Sequence, residues 1–175
     1  MSFLEDTYFR GELLIPNLHT FSGPSAVNNV IAAQQKLLDI FISKYEKKFL
    51  TELLGYDLYE KFVKETHESD IKDVLPEWKM LKNKLFNSKE WISPAANYVY
   101  YWYMANNMSS TSGIGEVRAL TNNAELTSPI PKMIKAWNEM VDMNKEFEMW
   151  IVNNNVYDYR HIDSDLFYKL NVFGI

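Results

Sequence analysis

The sequence predicts a mainly all-α fold. We expect a small helical bundle with a loop or β-hairpin inserted before the last long helix and with extended N- and C-terminal arms. Two observations carry this prediction: apolar residues recur at helical spacing over two long segments, and glycine or Ser-Pro pairs mark several segment ends. The chain has 175 residues, 47% of them hydrophobic and 23% charged, which suits one domain with a substantial core.

The longest predicted helix runs from about Ser25 to Leu54. Its apolar side chains recur close to every 3.6 residues, and they are Val27, Val30, Ile31, Leu37, Leu38, Phe41, Ile42, Tyr45, Phe49, Leu53 and Leu54. Gly55 follows at the position where a helix C-terminus is typically followed by glycine. At about 1.5 Å per residue this helix would be roughly 45 Å long, so we expect part of it to need a further packing partner.

Three shorter helices are predicted next. The first runs from Asp57 to about His67, and the second begins at Pro76 and ends near Phe86, because proline is tolerated in the first helical turn. The third begins at Ser93-Pro94, with Ser93 as the expected N-cap, and ends near Met108.

The last long helix is predicted to begin at Ser128-Pro129 and to end at Asn153-Asn154-Asn155. Its apolar stripe consists of Ile130, Met133, Ile134, Trp137, Val141, Phe147 and Ile151.

The segment before this helix, residues 109–127, has a different composition. It reads SSTSGIGEVRALTNNAELT, with small and polar residues around two glycines. Asn122-Asn123 is a candidate hairpin turn between Glu116–Leu120 and Ala124–Thr127, because asparagine accepts positive φ. We therefore predict a mobile loop with a possible two-stranded ribbon.

These elements divide the chain into three parts. Residues 1–24 form an N-terminal arm, which ends at the breaker Ser22-Gly23-Pro24. Residues 25–155 form the helical domain, and residues 156–175 form a C-terminal tail with irregularly spaced aromatic and apolar residues.

The third short helix is rich in aromatic residues. Tyr98–Tyr103 contains five rings interrupted only by Val99, and aromatic residues make up 15% of the chain. A helix that is apolar all round is expected at the centre of a bundle, although each tyrosine hydroxyl still needs a partner. We therefore expect one face of this helix to meet the core and another to meet a neighbouring subunit. The candidates for that contact are Tyr100, Tyr101, Trp102 and Tyr103.

Composition and charge argue against several classes of protein. The absence of cysteine excludes disulfides, thiolate metal sites and a cysteine nucleophile. A formal net charge of −5 and the lack of a basic cluster argue against tight nucleic-acid binding. The N-terminus does not resemble a secretory leader, and no apolar run is long enough to span a membrane.

The motifs of common active sites are missing. Gly113-Ile114-Gly115 starts a dinucleotide-binding spacing, but position 118 is arginine where a glycine is needed. His161, Asp163 and Asp165 alternate and would share one face of a strand, where they could hold a metal ion; a solvated polar stretch is the favoured interpretation. Neighbouring carboxylates lie on polar, lysine-rich helix faces. We predict no enzyme activity, no metal and no cofactor.

Four stretches, taken in order, resemble the head–tail connector proteins of tailed bacteriophages, also called adaptor or head-completion proteins. These stretches are YEKKFLTELLGYDLYEKF, SPAANYVYYWYMANN, TSGIGEVRALTNNAEL and SPIPKMIKAWNEMVDM. The resemblance covers roughly Val27–Asn153 and is nearest to connectors from phages and prophages of gut bacteria, including the crAss-like group. It rests on pattern and order, without a catalytic signature.

The resemblance implies a virion structural protein at the head–tail interface, assembled in the host cytoplasm. In that family twelve copies of a small helical bundle form a ring beneath the portal protein and extend the DNA channel toward the tail. The ring contacts portal and adjacent tail or ring proteins, does not read DNA sequence, and has no active site, cofactor or membrane contact.

The resemblance also implies two functional segments. A loop facing the lumen or the next subunit would consist of Gly113, Ile114, Gly115, Glu116, Val117 and Arg118. A tail docking on the portal or a neighbour would include Tyr159, Leu166, Phe167, Tyr168, Leu170, Val172 and Phe173.

Two alternatives stay open. The protein could form a tail-completion or stopper ring one position further down, although such proteins are usually richer in β-structure. It could also be a non-viral helical domain that binds a ligand or has an enzyme activity, which predicts an internal pocket with convergent polar groups.

Overall fold

A computed structural model describes residues 2–15, 18, 25–68, 75–108, 110–112, 115–117, 128–154 and 162–171. Within these ranges the chain is mainly helical, as the sequence predicts. The five α-helices are α1 (Ser25–Leu54), α2 (Tyr56–Val63), α3 (Pro76–Leu85), α4 (Pro94–Asn107) and α5 (Ile130–Asn154). One π-helical turn, Lys64–Glu68, continues α2.

Gly55 separates α1 from α2 with a single residue. Its backbone has φ +74° and ψ 160°, a conformation that side-chain-bearing residues rarely adopt. The carbonyl of Gly55 already accepts the first hydrogen bond of α2, from the amide of Tyr59 at 3.0 Å. Glycine therefore allows the chain to change direction between the two helices without a loop.

The serines of the two Ser-Pro pairs differ in whether their side chains cap the helix that follows. Ser93 precedes α4 in an extended conformation, but its hydroxyl makes no capping hydrogen bond and is buried. The prediction of Ser93 as a side-chain N-cap is therefore wrong. Its carbonyl instead accepts from the amides of Ala96 and Asn97, while Pro94 supplies a fixed φ in the first turn. At α5 the Ser128 hydroxyl accepts a 3.3 Å hydrogen bond from the amide of Ile130.

Helix α4 is central, with α1 packed on one side and α5 on the other. Every residue from Pro94 to Tyr100 is buried, and so is Tyr103. This explains the aromatic composition of the helix, since a helix packed on two sides has little surface left for polar residues. Asn97 is tolerated there because its side chain donates to the Ala136 carbonyl of α5 at 2.9 Å.

The described part of the predicted N-terminal arm is integrated into the same core. It contains two 3₁₀ turns, Asp6–Tyr8 and Gly11–Leu13. Its buried apolar residues are Leu4, Tyr8, Phe9, Leu13, Ile15 and Leu18. The C-terminal end of this segment is held by Gln35 of α1, whose side-chain amide donates to the Leu18 carbonyl at 2.8 Å. The predicted boundary at residue 24 therefore does not separate an independent arm from the core.

Two short strands lie between α4 and α5. Strand β1 (Ser110–Ser112) pairs antiparallel with β2 (Gly115–Val117), with Ser110 opposite Val117. These paired residues are closer in sequence to α4 than the predicted pairing of Glu116–Leu120 with Ala124–Thr127. The predicted turn at Asn122-Asn123 lies outside the described residues.

Candidate interaction surfaces

The C-terminal segment returns along the bundle after α5. The amide of Asp163 donates to the Leu53 carbonyl at the end of α1, at 3.2 Å. A 3₁₀ turn, Ser164–Leu166, follows, and Ser164 donates its hydroxyl hydrogen bond to the Glu148 carboxylate of α5. The residues after this turn then reach the first half of α5, so the segment runs antiparallel to that helix.

Phe167 anchors the segment in the bundle. Only 4% of its surface is exposed, and its ring centroid lies 5.5 Å from that of Phe49, 6.0 Å from that of Tyr98 and 6.3 Å from that of Trp137. These partners come from α1, α4 and α5 respectively. Such aromatic pairs stabilise by about 0.5–1.5 kcal/mol beyond the burial of their surface. Phe167 therefore closes the aromatic core of the bundle.

Side chains of α5 hold the main chain of the segment. The indole Nε1 of Trp137 donates to the Tyr168 carbonyl at 2.7 Å. Asn138 donates from Nδ2 to the Leu170 carbonyl at 2.9 Å, and its Oδ1 accepts from the Leu170 amide at 2.7 Å. Because these bonds engage backbone atoms, they fix the path of the segment whatever side chains it carries.

One surface ion pair accompanies these bonds. Lys169 Nζ lies 2.7 Å from Asp142 Oδ1, with about half of each side chain exposed. An exposed pair of this kind typically contributes about 0–1 kcal/mol. The hydrogen bonds and the buried ring of Phe167 therefore dominate the attachment.

The predicted docking tail thus divides into residues that face inward and residues that face outward. Phe167 is unavailable to another protein, so its assignment to an external docking surface is corrected. Leu170 is partly buried. Leu166 and Tyr168 keep 55% and 75% of their surfaces exposed and remain candidates for external contact. Tyr159, Val172 and Phe173 lie outside the described residues.

The predicted subunit contacts on α4 divide in the same way. Tyr100 is fully buried and Tyr103 is 2% exposed, so both belong to the core of the chain itself and their prediction as interface residues is wrong. Tyr101 and Trp102 are partly exposed. Trp102 stacks on Tyr45 of α1 with centroids 5.3 Å apart and planes 7° apart. Tyr101 lies 4.8 Å from the Trp137 ring.

The buried tyrosine hydroxyls are in unequal environments. Tyr98 donates to Glu52 Oε2 at 3.2 Å, and burial together with the charge of Glu52 holds the pKa of Tyr98 far above its ordinary value. The Tyr100 hydroxyl has no hydrogen-bond partner in the described part of the chain. Burial alone raises the pKa of Tyr100. Both phenols therefore stay neutral, and neither has the lowered pKa that a phenolic base at neutral pH needs.

Glu46 of α1 is a buried carboxylate that the sequence analysis missed. It is 5% exposed and accepts hydrogen bonds from Ser2 Oγ at 2.6 Å, the Phe3 amide at 3.1 Å and the Leu4 amide at 2.8 Å. Burial raises the pKa of Glu46, and these donors oppose the rise. A signal did exist, because Glu46 lies four residues after Ile42 and three before Phe49 on the apolar stripe of α1.

The loop predicted to face the lumen or the next subunit is described only in part. Gly115, Glu116 and Val117 form β2, whereas Gly113, Ile114 and Arg118 lie outside the described residues. For the possible metal site, His161 also lies outside them, and Asp163 and Asp165 are exposed. No group of three potential metal-ligating His, Cys, Asp or Glu side chains occurs in the described ranges.

No protein-family model, curated protein or solved structure matches this chain. Among the helices of the described ranges, none has both the length and the apolar character needed to cross a membrane.

Proposed function

We propose that this protein is a head–tail connector subunit, a structural and non-enzymatic protein that forms a ring on the portal of a tailed bacteriophage. The ring extends the DNA channel and joins the capsid to the tail. The proposal rests on the resemblance of the four ordered stretches, which fall on α1–α2, on α4, on the segment containing β1 and β2, and on α5.

The observation that supports it best is the docking of the C-terminal segment. Trp137 and Asn138 hold its backbone, while the exposed Leu166 and Tyr168 face outward. A segment held by its main chain can present these two side chains to another protein in a fixed position. Aromatic and large apolar residues are enriched in protein interfaces, so the outward pair suits contact with the portal or a neighbouring subunit.

The test is negative-stain electron microscopy of this protein mixed with the portal protein encoded by the same genome. We expect added density at one end of the portal ring. The matched variant L166D/Y168D keeps the Trp137 and Asn138 bonds and should reduce that density. Portal rings that stay unchanged with the wild-type protein would contradict portal binding, and density found only after another ring protein is added would place the chain further down the stack.

A further inference from the structure

One face of α1 carries exposed lysines around an exposed isoleucine. Lys36, Lys44 and Lys47 are exposed, and their spacing relative to Ile40 places all four residues on one side of the helix. Ile40 keeps 62% of its surface exposed. We call this surface the lysine face (Lys36, Ile40, Lys44, Lys47).

The charges of the lysine face are largely uncompensated. Lys36 and Lys47 have no ion-pair partner in the part of the chain that the structure describes. Lys44 Nζ lies 4.9 Å from the centroid of the Tyr45 ring, a cation–π contact that leaves its charge in place. Asp39 is an exposed acidic residue at the edge of the face.

A groove with the opposite charge runs along α5. It has a volume of about 500 Å³ and lies between the N-terminal segment, the turn that joins α3 to α4, and α5. Its lining combines carboxylates with an isoleucine that is 51% exposed. We call it the acidic groove, and its defining residues are Glu12, Glu90, Ile92, Glu139, Asp142 and Glu146.

Some of these carboxylates already have partners in the subunit. Lys135 Nζ lies 2.8 Å from Glu12 Oε1 and 3.6 Å from Glu139 Oε1, and Asp142 is paired with Lys169. Glu90 and Glu146, by contrast, have no ion-pair partner within the described ranges. Both are exposed and lie in the same groove as Ile92. The groove therefore offers an apolar position together with two negative charges that no ion pair neutralises; the Glu90 carboxylate accepts a hydrogen bond from Asn87 Nδ2 at 3.0 Å.

Arg10 also lines the groove, with its guanidinium carbon 4.8 Å from the Trp91 ring centroid. The turn that carries Trp91 is closed by hydrogen bonds between Asn87 and Ile92, at 3.0 Å and 3.2 Å. This turn fixes Ile92 in the groove wall.

We propose that the acidic groove binds the lysine face of a second copy of this chain. Ile40 of one copy contacts Ile92 of the other, while Lys36 and Lys47 lie against Glu90 and Glu146. Arg10 is then available to Asp39. The two surfaces carry opposite charges, and each has an exposed isoleucine. For the acidic groove, this complementarity favours a second copy of the chain over an uncharged or acidic partner.

This contact is heterologous, because no residue of α1 lines the acidic groove. Each subunit therefore keeps a free lysine face after its groove is filled, and repeated contacts produce either a closed ring or an open filament. The inference rests on the proposed function, because it identifies the surfaces through which the ring would assemble. Salt should weaken the contact, since exposed charges are screened over about 8 Å at physiological ionic strength.

The test uses two charge-reversed variants, K36E/K47E and E90K/E146K, in sedimentation velocity at low salt over a concentration series. We expect the wild type to self-associate and each variant alone to associate at least about 10-fold more weakly. An equimolar mixture of the two variants should restore association. The unchanged lysine face of E90K/E146K fits the unchanged groove of K36E/K47E, and the two reversed surfaces again carry opposite charges. The control K61E/K64E changes the charge by the same amount at exposed lysines elsewhere and should behave as wild type.

Circular dichroism verifies the fold of each variant, and single K47E and E146K replace any double variant that unfolds. A monomeric wild type at every concentration, or a mixture that does not associate, would overturn the proposal. The proposal would also be overturned if the wild type bound a short DNA duplex without self-associating and K36E/K47E abolished that binding. The lysine face would then be a surface that contacts nucleic acid.

The two proposals can fail separately. Density on the portal from both the wild type and K36E/K47E would keep the connector function and overturn this contact. Restored association in the mixture, with no wild-type density on the portal, would keep the contact and overturn the connector function.

Discussion

Asn138 of α5 and Leu170 of the C-terminal segment exchange two hydrogen bonds. Nδ2 of Asn138 donates to the Leu170 carbonyl at 2.9 Å, and the Leu170 amide donates to Oδ1 at 2.7 Å. The side-chain amide thus supplies the same donor and acceptor that a neighbouring antiparallel strand would supply. Through this one side chain, helix α5 holds the backbone of the C-terminal segment.

Replacing Asn138 with alanine should release the end of this segment. The substitution removes both hydrogen bonds and leaves the Leu170 backbone to water, at a cost of about 1–3 kcal/mol in local opening free energy. Hydrogen exchange measures this directly, and we expect the Leu170 amide to exchange faster in N138A. The control is N153A, because Asn153 is exposed on the same helix. Equal protection of the Leu170 amide in wild type and N138A would contradict the assignment.

Truncation of Phe167 should destabilise the protein far more than truncation of Tyr168. F167A removes a ring that is 4% exposed, so we expect a loss of about 3–5 kcal/mol in the free energy of unfolding. Y168A removes a ring that is 75% exposed, so it should change stability by about 0.5 kcal/mol or less. Urea unfolding of both variants gives the two values. Similar values for the two variants would show that Phe167 does not close the core.

Removing the hydroxyl of Tyr100 should not destabilise the protein. That hydroxyl is buried and has no hydrogen-bond partner among the described residues, so Y100F should keep the free energy of unfolding or raise it by about 1 kcal/mol. Y98F is the matched control, because it removes the hydrogen bond to Glu52 and should cost about 1 kcal/mol. Chemical unfolding measures both. A loss in Y100F as large as that in Y98F would indicate a partner for the Tyr100 hydroxyl.

Glu46 should make stability depend on pH. Burial raises the pKa of Glu46 above its ordinary value of 4.5, so the folded state keeps this proton to a higher pH than the unfolded state does. The stabilising contribution is therefore fully present below the ordinary pKa and is lost as the pH rises through the folded pKa. We expect the stability of wild type relative to E46Q to fall as the pH rises above about 4.5, measured by urea unfolding. A relative stability that rises over this range would mean that the donors from Ser2, Phe3 and Leu4 outweigh burial.

The helices were predictable because their signals are local. The apolar period of α1 and the glycine after it define Ser25–Leu54, and proline in the first turn marks the starts of α3 and α4. The central position of α4 also follows from sequence, since apolar residues surround that helix. The sequence did not indicate which rings face the core, and it wrongly assigned Tyr100 to a subunit contact.

The docking of the terminal segments was not predictable. Leu4, Phe9 and Phe167 occur in stretches without a regular period, and their burial depends on partners that are far away in sequence. The partners of Glu46 were not predictable for the same reason, because its hydrogen-bond donors lie more than forty residues earlier, although its place on the apolar stripe of α1 indicated burial. Irregular segments reveal their packing only once the helices that receive them are placed.

The most direct test of the connector function is quantitative mass spectrometry of purified, DNA-filled particles of the phage that encodes this chain. The account predicts that the protein remains with the particles after stringent purification, at about one copy for each copy of the portal protein, the ratio that the resemblance implies. The absence of this protein from particles that retain their portal and tail would contradict the connector function.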